Sequence, residues 1–212
     1  MVNPYLTVTE IKSDMPDSPV FDTTDTSYDQ VISGMISSAS RLIDKEVGGW
    51  PGYFYPSTAD ETRYYDGNGE KELYVDPIVS LTSVAVSESG YHESTSYTDW
   101  VKDTDYYVWP YNYLKTSQPI KSLIIEENGD KSTWTRYSKA VKITGVFGYS
   151  ATPPADIKQA CKIQTVRWFM RAKQGYQDSS ASAAMGEMIF IKELDPDVKT
   201  LLMPYQIGNM VY

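Results

Sequence analysis

The side chains best suited to nucleophilic or proton-transfer chemistry are one imidazole, His92, and one thiol, Cys161. A Ser/His/Asp or Cys/His site needs a nucleophile, a base and a third group that orients the base. His92 sits in a polar stretch and Cys161 far from it among apolar neighbours. We therefore read His92 as a surface loop residue and Cys161 as core. Asp66-Gly67-Asn68-Gly69-Glu70 resembles the start of a calcium loop. Lys71 stands where that loop needs a glycine, and Pro77 where it needs a bidentate glutamate. A hairpin turn accounts for it better. Asp14, Asp17, Asp22, Asp25 and Asp29 are of the right type to gather a cation, but helix capping and solvation explain them more simply. There is no phosphate-cradling glycine loop, paired-histidine helix or nucleotide fingerprint. The 28 acidic residues offer carboxylate pairs for glycoside hydrolysis without singling one out. The expectation is a protein that is no enzyme and holds no metal or cofactor.

An aromatic run, Trp100, Tyr106, Tyr107, Trp109, Tyr111 and Tyr113, has two readings. As core it fills a β layer; as a platform it stacks on sugars or packs a partner. Tyrosine dominates the aromatics, 18 against 5 phenylalanines. Its apolar body and wet tip serve interfaces as well as cores. Net charge is −9, from 28 acids and 19 basic residues, which argues against a protein that grips nucleic acid backbones. It is compatible with a wall that DNA slides past, because acids repel phosphate. The 212 residues, 41% hydrophobic and 22% charged, are ordinary for a soluble globular chain. No apolar run approaches the roughly 18 residues needed to span a membrane, and the polar start after Met1 reads as lacking a secretion leader. One cysteine excludes an internal disulfide and a cysteine-based zinc cage.

The elements that position these groups fall into three stretches. Residues 1–50 read as helical. Thr7-Val8-Thr9-Glu10 is a capping box that opens a short helix to about residue 15, ended by Pro16 and Pro19. A long helix is predicted over 27–47, with Ser27 and Gln30 as a second box. Its apolar arc of roughly 160° holds Tyr28, Val31, Ile32, Met35, Ile36, Ala39, Leu42, Ile43 and Val47. Gln30, Ser33, Ser37, Ser40, Arg41 and Asp44 take the other side, and Gly48-Gly49 stops the helix. Residues 51–150 read as an antiparallel β insertion. A hairpin is predicted over 63–75, then a bulged strand at 78–86. Further strands are expected near 106–109, 122–126 and 141–147. Residues 87–99 and 111–118 are expected to be polar loops, and Glu127-Asn128-Gly129-Asp130 another hairpin turn.

Residues 151–212 return to helix. Pro153-Pro154-Ala155-Asp156 opens a helix over 154–174 that is apolar on two sides. Ile157, Cys161, Trp168 and Ala172 form one face; Ile163, Val166 and Met170 form the other. Between them run a ridge of Lys158, Lys162 and Lys173 and a ridge of Arg167 and Arg171. A two-faced helix is sandwiched between layers, either inside one core or between this chain and a neighbour. Residues 177–184 are expected to be a flexible loop and 188–191 extended. At the end, Asp195 caps a short helix with Pro196 at its first position. Val198, Leu201, Leu202 and Tyr205 form one stripe, an amphipathic plug too short to stand alone. The fold class is α+β, a helical frame with an inserted antiparallel β subdomain.

The order of these parts resembles the head–tail connector (adaptor) proteins of tailed bacteriophages, the long type with a β insertion between helices. Four pieces carry the resemblance: Leu6-Thr7-Val8-Thr9-Glu10-Ile11-Lys12, like the family's first capped helix; Tyr28-Asp29-Gln30-Val31-Ile32 through Ser38-Ala39-Ser40-Arg41-Leu42-Ile43, like its second; Val141-Lys142-Ile143-Thr144-Gly145-Val146-Phe147-Gly148-Tyr149 leading into Pro153-Pro154-Ala155-Asp156; and the closing helix from Val198 to Tyr205. They cover about half the chain, with the β insertion matching only in kind.

The resemblance implies a homo-oligomeric ring, commonly a dodecamer, docked beneath the portal protein of the capsid. It continues the DNA channel and meets a neck, stopper or tail protein on its far side. Double-stranded DNA passes without specific binding, and no membrane is involved. The location implied is the virion neck, after synthesis in the bacterial host cytoplasm. On this reading Val198, Leu201, Leu202, Tyr205, Ile207 and Tyr212 meet the portal or another partner. Ile163, Val166, Met170, Arg167 and Arg171 lie between subunits. The alternative is a virion accessory module that binds carbohydrate or receptor through its aromatic β insertion.

Overall fold

A computed structural model of the protein describes residues 3–15, 21–89, 96–173, 179–181, 188–190 and 194–207. In chain order the helices are α1 (Val8–Ser13), α2 (Asp29–Val47), α3 (Tyr113–Thr116), α4 (Ala155–Lys173) and α5 (Pro196–Leu202), the last running into a 3-10 turn at Met203–Tyr205. The strands are β1 (Glu61–Tyr65), β2 (Glu72–Val86), β3 (Thr98–Trp100), β4 (Tyr106–Trp109), β5 (Ile120–Ile125), β6 (Val141–Phe147), β7 (Ser179–Ala181) and β8 (Met188–Phe190). The α+β class is as expected. Two compact units result, one of residues 53–152 and one of 2–52 with 153–212.

In the helical unit the local signals act largely as read. Thr7 and Glu10 form the reciprocal capping box of α1. Gly48 closes α2 with φ +79. Its N–H bonds the Lys45 carbonyl and the Gly49 N–H that of Asp44, the paired arrangement that satisfies orphan carbonyls at a helix end. The second capping box does not form. α2 starts two residues later than expected, behind Tyr28, with no side-chain cap, because the Ser27 N–H is held in a turn by Asp25 Oδ1 at 2.9 Å.

The α2 seam is Ile32, Ile36, Ala39, Ile43 and Val47, all buried. Each fully buried isoleucine of it contributes roughly 1.5–3 kcal/mol. α2 and α4 run antiparallel, with Cys161 Sγ beside Ser40 Oγ and the Ile36 carbonyl and Phe169 edge-on to Tyr28. Ser40 and Asp44, expected on the solvent side, are buried. Each has a polar partner there, which is what permits the burial. Ser40 Oγ accepts the Tyr5 N–H at 3.0 Å. Asp44 takes the Tyr5 hydroxyl, the Gly52 N–H at 3.1 Å and Arg41 at 3.2 Å.

The β unit is a six-stranded antiparallel sheet in the order β1-β6-β2-β5-β4, with β3 on β2. The 63–75 hairpin does not exist: β1 pairs with β6, and β2 with β5, β6 and β3. The glycine segment serves instead as a seat for the loop around Trp134. Trp134 donates its backbone N–H to Glu70 O and its indole N–H to Lys71 O. A Cβ on Gly67 would sit 1.5 Å from the Thr135 carbonyl oxygen, so only glycine fits there. Residues 127–130 do turn, but between β5 and β6, which are not paired. β2 is one long strand with register shifts near Ile78 and Leu81, which absorb Pro77. β6 covers its expected residues. The expected loop at 111–118 holds α3, and that at 177–184 contains β7, which pairs antiparallel with β8.

Candidate interaction surfaces

Among the described residues no group of three or more metal-ligating side chains is found. Cys161 is fully buried, and burial pushes its thiol up to about 11. His92 lies outside the described residues, as does Asp17. Of the other acids near the chain start, Asp22 accepts from Thr24 and Asp25 from Ser27. Asp29 pairs with the buried Lys12 at 2.5 Å, and Asp14 pairs with Lys162. Asp66, the first acid of the calcium-like stretch, accepts the Lys139 N–H at 2.7 Å.

The polar ridges of α4 hold the helical unit's own parts together. Lys158 and Lys162, one turn apart, meet Glu10 and Asp14, one turn apart on and just past α1. The Lys158 ammonium and the Thr7 amide hold the Glu10 carboxyl below its usual range. Arg167, expected between subunits, reaches Asp195 at 3.1 Å, the residue whose side chain caps α5.

That anchorage fixes the terminal plug. Val198 and Leu202, expected to face a partner, are 0% and 1% exposed, because α5 packs on α4 and α2 of its own chain. A seven-residue helix cannot persist alone, so its stripe closes on the nearest apolar surface. Leu201, Tyr205 and Ile207 stay half-buried, and Tyr205 donates to Asp156 at 3.2 Å. Met203, beside them, is 60% exposed. Tyr212 lies outside the described residues.

The two faces of α4 differ. The inward face is Ile157, Ala160, Cys161, Gln164, Thr165 and Phe169, all buried. Ile163 and Val166 are half-buried and Met170 is exposed. Separately, Val31, Gly34, Met35 and Ser38 of α2 with Trp168 and Arg171 of α4 line a groove of about 410 Å³ between the two helices. Neither Gly34 nor Ser38 is marked by residue type as part of a groove. Their signal was available, since two small residues one turn apart at the edge of an apolar arc leave a trough.

On the β unit the aromatic run divides. Trp100 and Tyr106 are buried, and Trp100 stacks on Trp134 with ring centroids 4.9 Å apart. Burial, then Asp103 and Asp105, pushes the Tyr106 hydroxyl up to about 12. Trp109 and Tyr111 remain outside, edge-to-face at 89°, so the run offers no single flat platform. Tyr107 and Tyr111 border a depression of about 320 Å³ with Ile124, Glu126, Glu127 and Asn128. The Tyr107 hydroxyl and the Asn128 amide keep the Glu126 carboxyl below its usual range.

No protein-family model matches the sequence, and no curated protein matches it. Solved structures do. A chain from the neck of an empty gene transfer agent (GTA) particle, computed with C6 symmetry, matches with TM-score 0.53 at 12% identity, over 97% of this chain and 95% of that one. A chain of the virion of the native gene transfer agent particle matches with TM-score 0.52 at 13% identity, over 97% and 95%.

This chain shares their fold. The likeness runs nearly end to end, so it takes in the β insertion as well as the helical frame. The expected resemblance to head–tail connectors therefore holds at the level of fold.

Proposed function

We propose that this chain is a structural head–tail adaptor. Identical copies form a ring, twelve in the reading we favour, beneath the portal of a tailed-phage-type particle, continue the DNA channel, and present the far side to a neck, stopper or tail protein. The observation that carries this reading is the fold likeness, spanning 97% of the chain, to a chain from a particle neck. A ring built from one kind of subunit needs two different patches on each copy, and the outward side of α4 supplies apolar surface for one: Ile163, Val166 and Met170, with Arg171 at its edge. Leu201, Tyr205, Ile207 and Tyr212 are the candidates for portal contact, carried on a base made by Val198 and Leu202. The net charge of −9 suits a channel whose cargo must pass without being bound. On this reading the protein works by fit, carries out no reaction, and is made in the cytoplasm of a bacterial host before it joins the virion.

The test is to mix the purified chain with the portal protein of its particle and image the mixture by negative stain. Rings of added density on one end of the portal are expected. Portal particles that stay bare at saturating chain concentration would sink the proposal. The carbohydrate-binding alternative is not favoured: Trp100 and Tyr106 are buried, and the exposed Trp109 and Tyr111 meet edge to face rather than as a flat platform.

A further inference from the structure

β7 and β8 form a sheet of their own. Three residues pair with three, Ser179↔Phe190, Ser180↔Ile189 and Ala181↔Met188, and among the described residues no third strand joins them. A ribbon of two strands is marginal in water at best and gains stability from a third. Along its two outer edges the ribbon presents backbone N–H and C=O groups, and a strand edge of that kind is a template for another strand.

Which strand fits follows from the symmetry of a ring. The two edges differ, one belonging to β7 and the other to β8, and a closed ring of identical copies needs two different, complementary patches on each. Rotation about the channel axis keeps every β7 running one way and every β8 the other. The β7 edge of one copy therefore meets the β8 edge of the next in the antiparallel sense, the sense already present within the ribbon and the more stable of the two. Dimensions agree with a passage for DNA. Twelve two-stranded ribbons at about 4.8 Å per strand close a belt roughly 115 Å around and about 37 Å across between backbones. Side chains narrow that bore, and strand tilt widens it; a DNA duplex still passes. Residues 174–191 carry no lysine or arginine, so a belt here offers phosphate no cation to pair with.

We infer that in the ring the β7–β8 ribbons join edge to edge, β7 of each copy beside β8 of the next, into a closed β belt around the DNA channel. The inference rests on the adaptor reading and adds to it the element that lines the passage. Backbone hydrogen bonds carry the contact, and closure leaves no strand edge open.

The experiment assembles particles from a mixture of two variants. Some copies carry Ser180→Cys, and the rest carry one of Met188→Cys, Ile189→Cys or Phe190→Cys, three partners that cover a register slip of one residue either way. Each copy has one introduced thiol, and the native Cys161 is fully buried, so no bond forms within a copy. Strands two places apart lie about 9.6 Å from each other, beyond the reach of a disulfide, so Ser180→Cys alone gives no dimer. After mild oxidation of mixed necks, a non-reducing gel is expected to show a dimer for at least one pairing. Necks that hold both variants and give no dimer with any of the three would overturn the belt while leaving the adaptor reading standing. Necks that lack even the unaltered chain would overturn both. Hydrogen exchange read by mass spectrometry needs no substitution and decides the matter where a variant fails to enter necks. Peptides covering 179–181 and 188–190 should exchange at least about tenfold more slowly in assembled necks than in the free chain. Equal exchange in the two would overturn the belt.

Discussion

α5 and the outer side of α4 begin from the same kind of evidence and end differently. Each is a short apolar stripe on an amphipathic helix, and each invites the expectation of cover by another chain. α5 closes on its own unit, with Val198 and Leu202 fully buried and the cap residue Asp195 tied to Arg167. The outer side of α4 keeps Met170 exposed. An apolar stripe says that a face is covered. It does not say by whom. Length decides between them: a helix of under two turns cannot leave its stripe waiting for a partner, whereas α4, held on its other face by α2, can.

The contrast can be broken most easily at Leu202. Leu202→Ala should lower the unfolding free energy by about 2–5 kcal/mol, the range for a buried leucine that leaves a cavity. Denaturant titration measures it, and a loss below about 0.5 kcal/mol would mean that α5 is not part of the chain's own core. Asp195→Ala removes both the cap of α5 and the partner of Arg167. A loss of about 1–2 kcal/mol is expected, with Asp195→Asn retaining most of the cap and losing the charge pair.

The pairing of α1 with α4 sharpens the comparison through pH. Glu10 is held below its usual range by Lys158 first and by Thr7. A carboxylate with a depressed folded-state value adds stability above its unfolded value, and that part is lost as pH falls through the folded one. Between neutral pH and about pH 3, Glu10→Gln should therefore show a shallower fall in the denaturant midpoint than the unaltered chain. An identical slope would remove Glu10 from the acid response. The smallest effect on stability is expected at Met170. Met170→Ala should stay within about 0.5 kcal/mol while weakening ring assembly on the portal, seen as fewer decorated portals by negative stain. A large stability loss there would erase the distinction between the two faces.

Local signals in the sequence were sufficient wherever one residue acts on its neighbours. The Thr7–Glu10 box, the Gly48 stop, the Asp195–Pro196 helix start and β6 were all legible for that reason. Pairing between distant segments was not. Arg63-Tyr64-Tyr65 and Glu72-Leu73-Tyr74-Val75 looked like hairpin arms because a glycine turn lies between them. What overrides the turn is Trp134, which claims the carbonyls of Glu70 and Lys71 from a position much later in the chain. Ser40 and Asp44 were placed in solvent by their type. Their burial depends on Tyr5, whose N–H and hydroxyl supply the partners, and periodicity within α2 carries no trace of that. At the candidate surfaces, Ile163, Val166 and Met170 were legible as a second apolar face. The groove between α2 and α4 is not, because Gly34 and Ser38 shape it by being small.

The most direct measurement is a cryo-electron microscopy reconstruction of the particle neck. The account predicts this chain as a closed ring between portal and tail, with Ile163, Val166 and Met170 of each copy covered by the next. Density in the neck that this fold cannot fit, or the chain found elsewhere in the particle with that face in solvent, would contradict it.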